Sequence, residues 1–585
     1  MKKYISILIT FTLYVLVQAQ PIDTAKFNVD YSLTLQNFEK INKSAEIIDT
    51  VKDQVRFDYY IMPQRIDLSF KPSTVAPAKL PADVMKRLYR NFLRVGFGYP
   101  ITPLAQLNIH NFDNSKFSYG LNVNHFSLWG PNVIRGMENF AYAPVSDTKV
   151  GVFFHHFLRN ATFYNHLNYN HEVAHRFAFN RLYGYDDHYY LKAYRDSLKN
   201  NFHHLRAVTG VRSNQTADVK VVKYDVRFVY DMLATYPKDW EHHWGLQGFI
   251  GYDDRFLKVS GTQNYRIDID FDYYQNRWGN APNDLNLTRN TFKFLFKPTM
   301  SFEVNEYMLT LGVGIPIINS TLYSKAMIPI YPVAEVQLGL IKGIMSLYGG
   351  LDGNTHWNSL QDLIYENPYI KPGLDSLRFS RTQISVYGGL KGNLVKKLNY
   401  HFAARYSYTK DMPLFMVDTL CYLKNQFDVI YTNANILNVS GNLTWQVVDH
   451  LFLNFDLNFW KYYKLSNADH AWYKPTWEGA FGGKYYHGDR YIFDLNFILQ
   501  FGKWGFFPLE NNNYVVKQMK PVLNFDAAFE YLITPQFACF AQVNNLASQY
   551  LSHYYDISNF GLNFIVGVTY SFGDEPLKAA KRRRR

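Results

Sequence analysis

One run of residues has the types and spacing for hydrolytic chemistry. His171-Glu172-Val173-Ala174-His175 matches H-E-x-x-H, in which two histidines hold zinc and the glutamate activates its water. That chemistry needs a helix, because only a helix puts positions i and i+4 on one face beside the glutamate. Here the run sits in A-T-F-Y-N-H-L-N-Y-N-H-E-V-A-H-R-F-A-F, an alternating stretch with aromatics at Phe163, Tyr169, Phe177 and Phe179. On a strand Glu172 points away from His171 and His175 and cannot serve as base for a metal they hold. The motif then reads as the end of an interfacial strand or, at most, a weak surface metal pair. The nearby His155, His156 and His166 do not complete a better site.

Other reactive types are sparse. There is no glycine-rich phosphate loop, nucleophile elbow or Walker pattern. The two cysteines, Cys421 in a loop and Cys539 in mid-strand, are expected to be unpaired, which excludes a disulfide framework. Asp268, Asp270 and Asp272 form an acidic ladder on one strand face, read as a solvated polar lining or an ion-selectivity element. No catalytic, cofactor-binding or metal-binding residue is assigned, and the chain is not expected to be an enzyme.

The elements around these residues are strands with two unlike faces. In Phe560 to Phe572, Phe560, Leu562, Phe564, Val566, Val568, Tyr570 and Phe572 share one parity, against Gly561, Asn563, Gly567, Thr569 and Ser571. The same stripe runs through Leu451 to Phe459, Tyr491 to Leu499, Leu523 to Tyr531 and Tyr265 to Tyr273, with Asn, Asp, Glu or Arg between. Side chains alternate across a strand, so each face meets a different solvent. Lipid outside and water inside is the arrangement of a membrane β-barrel. The 18% of aromatic residues suits the interfacial girdles of such a barrel.

The ends of the chain suggest which membrane. Lys2 and Lys3, the apolar run Ile5 to Val17 and the small-residue site at Val17-Gln18-Ala19 form a signal peptide over 1–19. No cysteine follows it to carry a lipid anchor, and no later stretch stays apolar for about 18 residues. The formal charge of +12 drops to +4 once Lys2, Lys3 and the six basic residues Lys578, Lys581 and Arg582 to Arg585 are set aside. A body that mildly basic does not suggest nucleic acid. The basic tail, 573–585, is read as a solvated end or as a dock for an acidic partner.

Loop lengths give the strand count. Tight connections fall at 533–536, 487–489, 448–450, 393–397, 341–343 and 305–307, alternating with longer ones at 549–559, 503–516, 465–470, 410–432, 354–379 and 318–322. Adding a strand over 204–213, paired through the turn 214–218 with 219–231, predicts 22 antiparallel strands between Leu88 and Phe572, with 20 and 24 as neighbouring solutions. The longest outer loop is then 180–202, with a helix near Tyr189 to Lys199. The near-repeat of Ser346-Leu-Tyr-Gly-Gly-Leu-Asp-Gly353 as Ser385-Val-Tyr-Gly-Gly-Leu-Lys-Gly392 is read as structural, its glycines allowing close approach.

The closing segment resembles the end of a TonB-dependent receptor barrel, through Asn544, Asn545, Leu546 and Tyr550 and the final Tyr570-Ser571-Phe572. Gly567, Tyr570 and Phe572 resemble the signal read by outer-membrane assembly machinery, although a 13-residue tail follows here. Arg94-Val-Gly-Phe-Gly98, Thr102-Pro-Leu104, Gly350-Leu-Asp-Gly353, Glu366-Asn-Pro-Tyr-Ile370, Met412-Pro-Leu-Phe415 and Ala471-Trp-Tyr-Lys-Pro475 look like a plug-less group of such barrels in Bacteroidota. The resemblance implies an all-β transmembrane barrel over 88–572 in the outer membrane, with both termini periplasmic and lipids as its surroundings. It implies transport of an unidentified solute; the alternative is a scaffold barrel within a larger outer-membrane complex. Only 20–87 precede the barrel, against a plug of roughly 130–150 residues implied by the resembled receptors, while barrels of 22 strands are plugged. This periplasmic segment is a candidate reduced plug; otherwise inward-folded loops or a periplasmic partner must fill the lumen.

Overall fold

The protein is described by a computed structural model that covers most of residues 89–574. Residues 1–88, 112–115, 130–143, 177–195, 215–221, 258–260, 280–286, 509–513 and 575–585, with several single positions, lie outside the described residues. The signal peptide, the 20–87 segment, the basic tail, Tyr550 and most of the expected helix near Tyr189 fall there, and Lys199 already opens a strand.

The alternating segments close into one antiparallel sheet of 22 strands among the described residues, the expected number. The first strand, Tyr89–Tyr99, pairs with the last, Asn563–Asp574, through Gly96 opposite Gly567 and Tyr99 opposite Phe564. Each tight turn of the count joins two strands, as with Tyr491–Phe501 after Trp477–His487 and Phe537–Asn544 after Val522–Leu532. The end holding these turns also holds the first and last described residues, and is called the near end; the longer loops lie at the far end. On the last strand Phe564 and Val566 are 45% and 54% exposed outward, while Asn563, Thr569 and Ser571 are buried inward. An outer wall this apolar is tolerable only against lipid.

Several expected boundaries move. The last strand begins at Asn563 rather than Phe560, and its inner face is not wholly small or polar, because Ile565 points inward at 0% exposure. Ile565 fits because Gly96 leaves a space beside it and the Phe540 ring, with the Arg94 guanidinium 3.7 Å from that ring centroid and 3.5 Å from Glu530. The loop expected over 410–432 is mostly strand: Leu398–Val417 and Phe427–Val448 run 20 and 22 residues. About 9–11 residues suffice to cross a bilayer. The excess rises beyond the membrane, where Leu414 and Phe415, on opposite faces, are both buried by loops. The loops expected at 318–322 and 465–470 lengthen to 321–330 and 464–476.

The duplicated octapeptides lie side by side, Tyr348 opposite Gly389 and Gly350 opposite Tyr387. A side chain at either glycine would strike the facing tyrosine, so each ring lies over the other's glycine on the inner wall. The buried hydroxyls then find partners in His401, at 2.6 Å from Tyr348, and Glu335, at 2.6 Å from Tyr387.

Ring closure makes one prediction. A methyl at Gly98 would overlap the Phe564 carbonyl across the seam. Gly98→Ala should cost about 1–3 kcal/mol of barrel stability, read as earlier urea unfolding of the folded gel species. An unchanged midpoint would mean that the seam yields freely.

Candidate gate at the far mouth of the barrel

The gate begins with a helix that the sequence reading missed. Within the far-end loop 358–378, Leu360–Glu366 forms a short α-helix, with the Ser359 hydroxyl accepting from the Asp362 amide. Ser359-x-x-Asp362 is a capping pattern and the available signal for it. Leu360 and Leu363 turn inward to a core with Trp278, Trp357, Ile370, Leu374 and Phe379.

Two carboxylates from one short segment hold both ends of this loop. Glu241 Oε2 accepts from the Leu360 amide at 2.8 Å and from Asn276 Nδ2 at 2.6 Å, and Oε1 accepts from the Gln361 amide at 3.2 Å. Asp239 Oδ2 accepts from the Gly373 amide at 2.8 Å, and Oδ1 from the Gly279 amide at 3.3 Å. Both carboxylates are 3% exposed. The amides at the start of the helix lack partners within it, so a buried acceptor there is the natural complement. Burial holds the Asp239 carboxyl above its ordinary range, against the pull of the two amides.

The loop crosses the mouth. It is rooted between the thirteenth and fourteenth strands, yet Pro368 accepts from Asn200 on the sixth strand at 2.7 Å. Glu366 pairs with Lys474 and accepts through its carbonyl from the Tyr554 hydroxyl at 2.7 Å. Ile370 bridges in parallel to Phe427, and Lys371 pairs with Asp428 at 2.5 Å. From the loop after the fifteenth strand, Asn425 reaches the Arg176 carbonyl after the fifth at 3.2 Å. Those roots are ten strands apart on a ring of 22, so the loops meet over the lumen. The segments expected as plain loops at 503–516 and 549–559 carry small hairpins, Trp504–Pro508 with Tyr514–Gln518 and Ser552–Tyr554 with Ile557–Ser558. Trp504 stacks on His470 at 4.2 Å there.

Beneath the gate, the acidic ladder is not simply solvated, as the sequence reading favoured. Asp272 is 2% exposed and joins a chain of charges across five strands, buried at Asp231, His243 and Asp272. His243 bridges Asp231 and Asp272, each at 2.9 Å, with the Tyr274 ring stacked on it at 4.2 Å. Lys293 reaches Asp272 at 3.2 Å, and Arg206 reaches Asp231 at 3.4 Å. His204 binds Asp231 at 3.3 Å and Gln361 of the gate helix at 3.4 Å, which links the wall to the lid. Asp268 pairs instead with Arg266. The signal for this site was the inward parity of His243 against an aspartate on each neighbouring strand, legible only once the register was known.

The zinc-like motif lies on the strand Ala161–His175, not on a helix. Glu172 takes the inward parity and His171 the outward one, where His171 stacks on His203 at 4.5 Å. No group of three His, Cys, Asp or Glu side chains suited to a metal ion occurs among the described residues. Cys421 and Cys539 are both free. Asn545 accepts from the Gln549 amide and donates to the Phe560 carbonyl, so the Asn-Asn-Leu element shapes the last loop.

No protein-family model matches the sequence, and no curated protein matches it. Solved structures do share the fold, that of large outer-membrane receptor barrels. The FrpB iron transporter of Neisseria meningitidis superposes with a TM-score of 0.62 at 10% identity, over 85% of this chain and 83% of that one. The ferripyoverdine receptor of Pseudomonas aeruginosa gives 0.61 at 10% identity, over 83% and 72%. The ferric-catecholate import receptor Fiu of E. coli K12, in its closed form, gives 0.60 at 9% identity, over 83% and 82%.

Two predictions follow from the gate. In Glu241→Gln one oxygen becomes a donor facing other donors, costing about 1–3 kcal/mol; amide exchange over 359–366 should quicken at least tenfold with the barrel intact, and unchanged exchange would refute the clamp. The second concerns Lys503, buried beside His553 at 3.2 Å in the far-end loops. Burial pushes its amine down to about 7, partly opposed by Glu478. A wetted Lys503 takes up protons up to its ordinary 10.5 while the buried one does not, so closure gains stability as pH rises from 7 towards 10.5. Intrinsically corrected exchange over 514–519 should slow between pH 7 and 9.5, and Lys503→Met should abolish that difference.

Proposed function

We propose that this chain is an outer-membrane transport barrel of the receptor type, passing a bulky solute through a lumen that its own far-end loops close. The observation that carries this reading is the meeting of loops rooted ten strands apart, Asn425 with Arg176, over a charged and polar lumen. The fold shared with outer-membrane iron transporters and receptors supports it. In this reading the far mouth faces outward, the termini lie in the periplasm, 1–19 direct export, and 20–87 serve as a reduced plug below the gate. Gly567, Tyr570 and Phe572 serve recognition by the assembly machinery, their aromatic rings stacked at 5.8 Å near the chain's exit.

The test is single-channel conductance in a planar bilayer. The full chain should be silent or flicker briefly. Replacing 359–377 by a short Gly-Ser linker, together with deletion of 20–80, should give large and stable openings. Steady conduction by the intact chain would overturn closure by loops. Silence of the doubly opened barrel would favour a scaffold role within a larger complex.

A further inference from the structure

The transport reading leaves unused the imidazoles on the outer wall. Four strands direct histidines outward near the far end: His125, His171, His203 and His242, with His175 on the same face as His171 but buried. Register sets His125 opposite Thr148, Thr148 opposite His171, and His171 opposite His203. His125 bonds Thr148 Oγ1 at 2.8 Å, and the His171 and His203 rings stack within 15° of parallel. Tyr169 bonds His203 Nδ1 at 2.8 Å, and Tyr230 bonds His242 Nδ1 at 3.1 Å. His242 lies between the rings of Trp240 and Trp244, at 6.3 and 5.5 Å. Exposed Arg277 stands opposite Trp240 in register.

Depth and charge say what such a surface meets. Towards the near end the same outward faces turn aliphatic and exposed, at Leu167, Leu246 and Ile250. The imidazoles and tryptophans therefore sit at the border of the apolar band, the level of lipid headgroups. By parity, the outward faces of the seven strands from Phe117–Leu128 to Thr262–Trp278 carry the cations Lys199 and Arg277 near the far end. Their one outward carboxylate, Asp254, ends its strand at the opposite, near end. Facing the His171–His203 pair are Lys199 and Asn201 on one strand, Tyr169 and His175 on the other, Thr148 on the third and neutral Ala234 and Met232 on the fourth. Two imidazolium charges stacked this closely repel each other, and an anion lying against them offsets that repulsion.

We propose that this sector of the outer wall binds the phosphate of an anionic membrane lipid, and binds it more tightly as pH falls through the imidazole range. The inference rests on the membrane-spanning reading of the barrel. While the four rings are neutral, Lys199 and Arg277 are the attracting charges; once protonated, the rings add to them.

The experiment places the full chain in nanodiscs of phosphatidylcholine with one-tenth phosphatidylglycerol and counts retained lipids by native mass spectrometry at pH 5.5 and 8.0. At least threefold more phosphatidylglycerol should be retained at pH 5.5. His171→Gln/His203→Gln/His242→Gln should lose that gain while keeping the folded gel mobility of the native chain. Equal retention at both pH values, or a pH gain that survives the triple substitution, would overturn the proposal. If the triple variant misfolds, His242→Gln alone should lower the gain, and no change would count against it. Failure of the native chain to enter nanodiscs would instead overturn the membrane reading on which this inference stands.

Discussion

Backbone hydrogen bonding in lipid governs the whole molecule. Hydrocarbon offers no partner to an amide or carbonyl, so a sheet inside a bilayer must have no edge. The pairing of Tyr89–Tyr99 with Asn563–Asp574 removes the edge, joining residues more than four hundred positions apart. The glycines Gly96, Gly98 and Gly567 let the two strands approach there, and Arg94, Phe540 and Glu530 fill the space behind them. With closure comes a fixed inside and outside, and every side chain is assigned a solvent by its parity.

That assignment creates a second problem, a wide lumen lined with polar groups. The protein meets it with apolar material of its own, carried above the membrane on the overlong strands Leu398–Val417 and Phe427–Val448. The lid is fastened by charge. Asp239 and Glu241 offer carboxylate oxygens to backbone amides of the loop, and a buried carboxylate left unpaired would be costly. Asn276 and the Gly279 amide supply one donor to each carboxylate. The remaining acceptors are satisfied only when the loop is in place, which gives the closed state a specificity that apolar packing alone would not supply. The Asp231–His243–Asp272 chain beneath it connects the same loop, through His204 and Gln361, to the lumen wall.

Parity carried most of the fold into plain view in the sequence. The alternation of Leu451 to Phe459 or Tyr491 to Leu499 fixes strand, face and environment together. Turn lengths then narrow the count to 22 and its neighbours 20 and 24, of which the pairing of the sheet selects 22. The zinc-like motif was resolved by the same rule, since a period of two separates Glu172 from His171. What stayed hidden depends on long-range pairing. Leu414 and Phe415 look like the start of a loop because both faces of that strand are apolar, and only loops from elsewhere explain why. The gate helix is seven residues long, too short for periodicity to reveal, and its Ser359 cap stands out only when the strand before it is seen to end at Trp357. Glu241 and Asp239 look like ordinary strand-end acids, because their partners lie 119 to 134 residues away.

Those separations order the birth of the lid in time. The clamp sits at the start of the eighth strand, while the amides it receives belong to a loop reached only after the thirteenth. The cross-mouth contact of Asn425 with Arg176 spans 249 residues and waits on two more strands. Chain entropy disfavours such distant contacts until the intervening hairpins are set. A barrel under construction is therefore uncovered for most of its assembly, and the cover arrives as a late act of the same chain that built the hole.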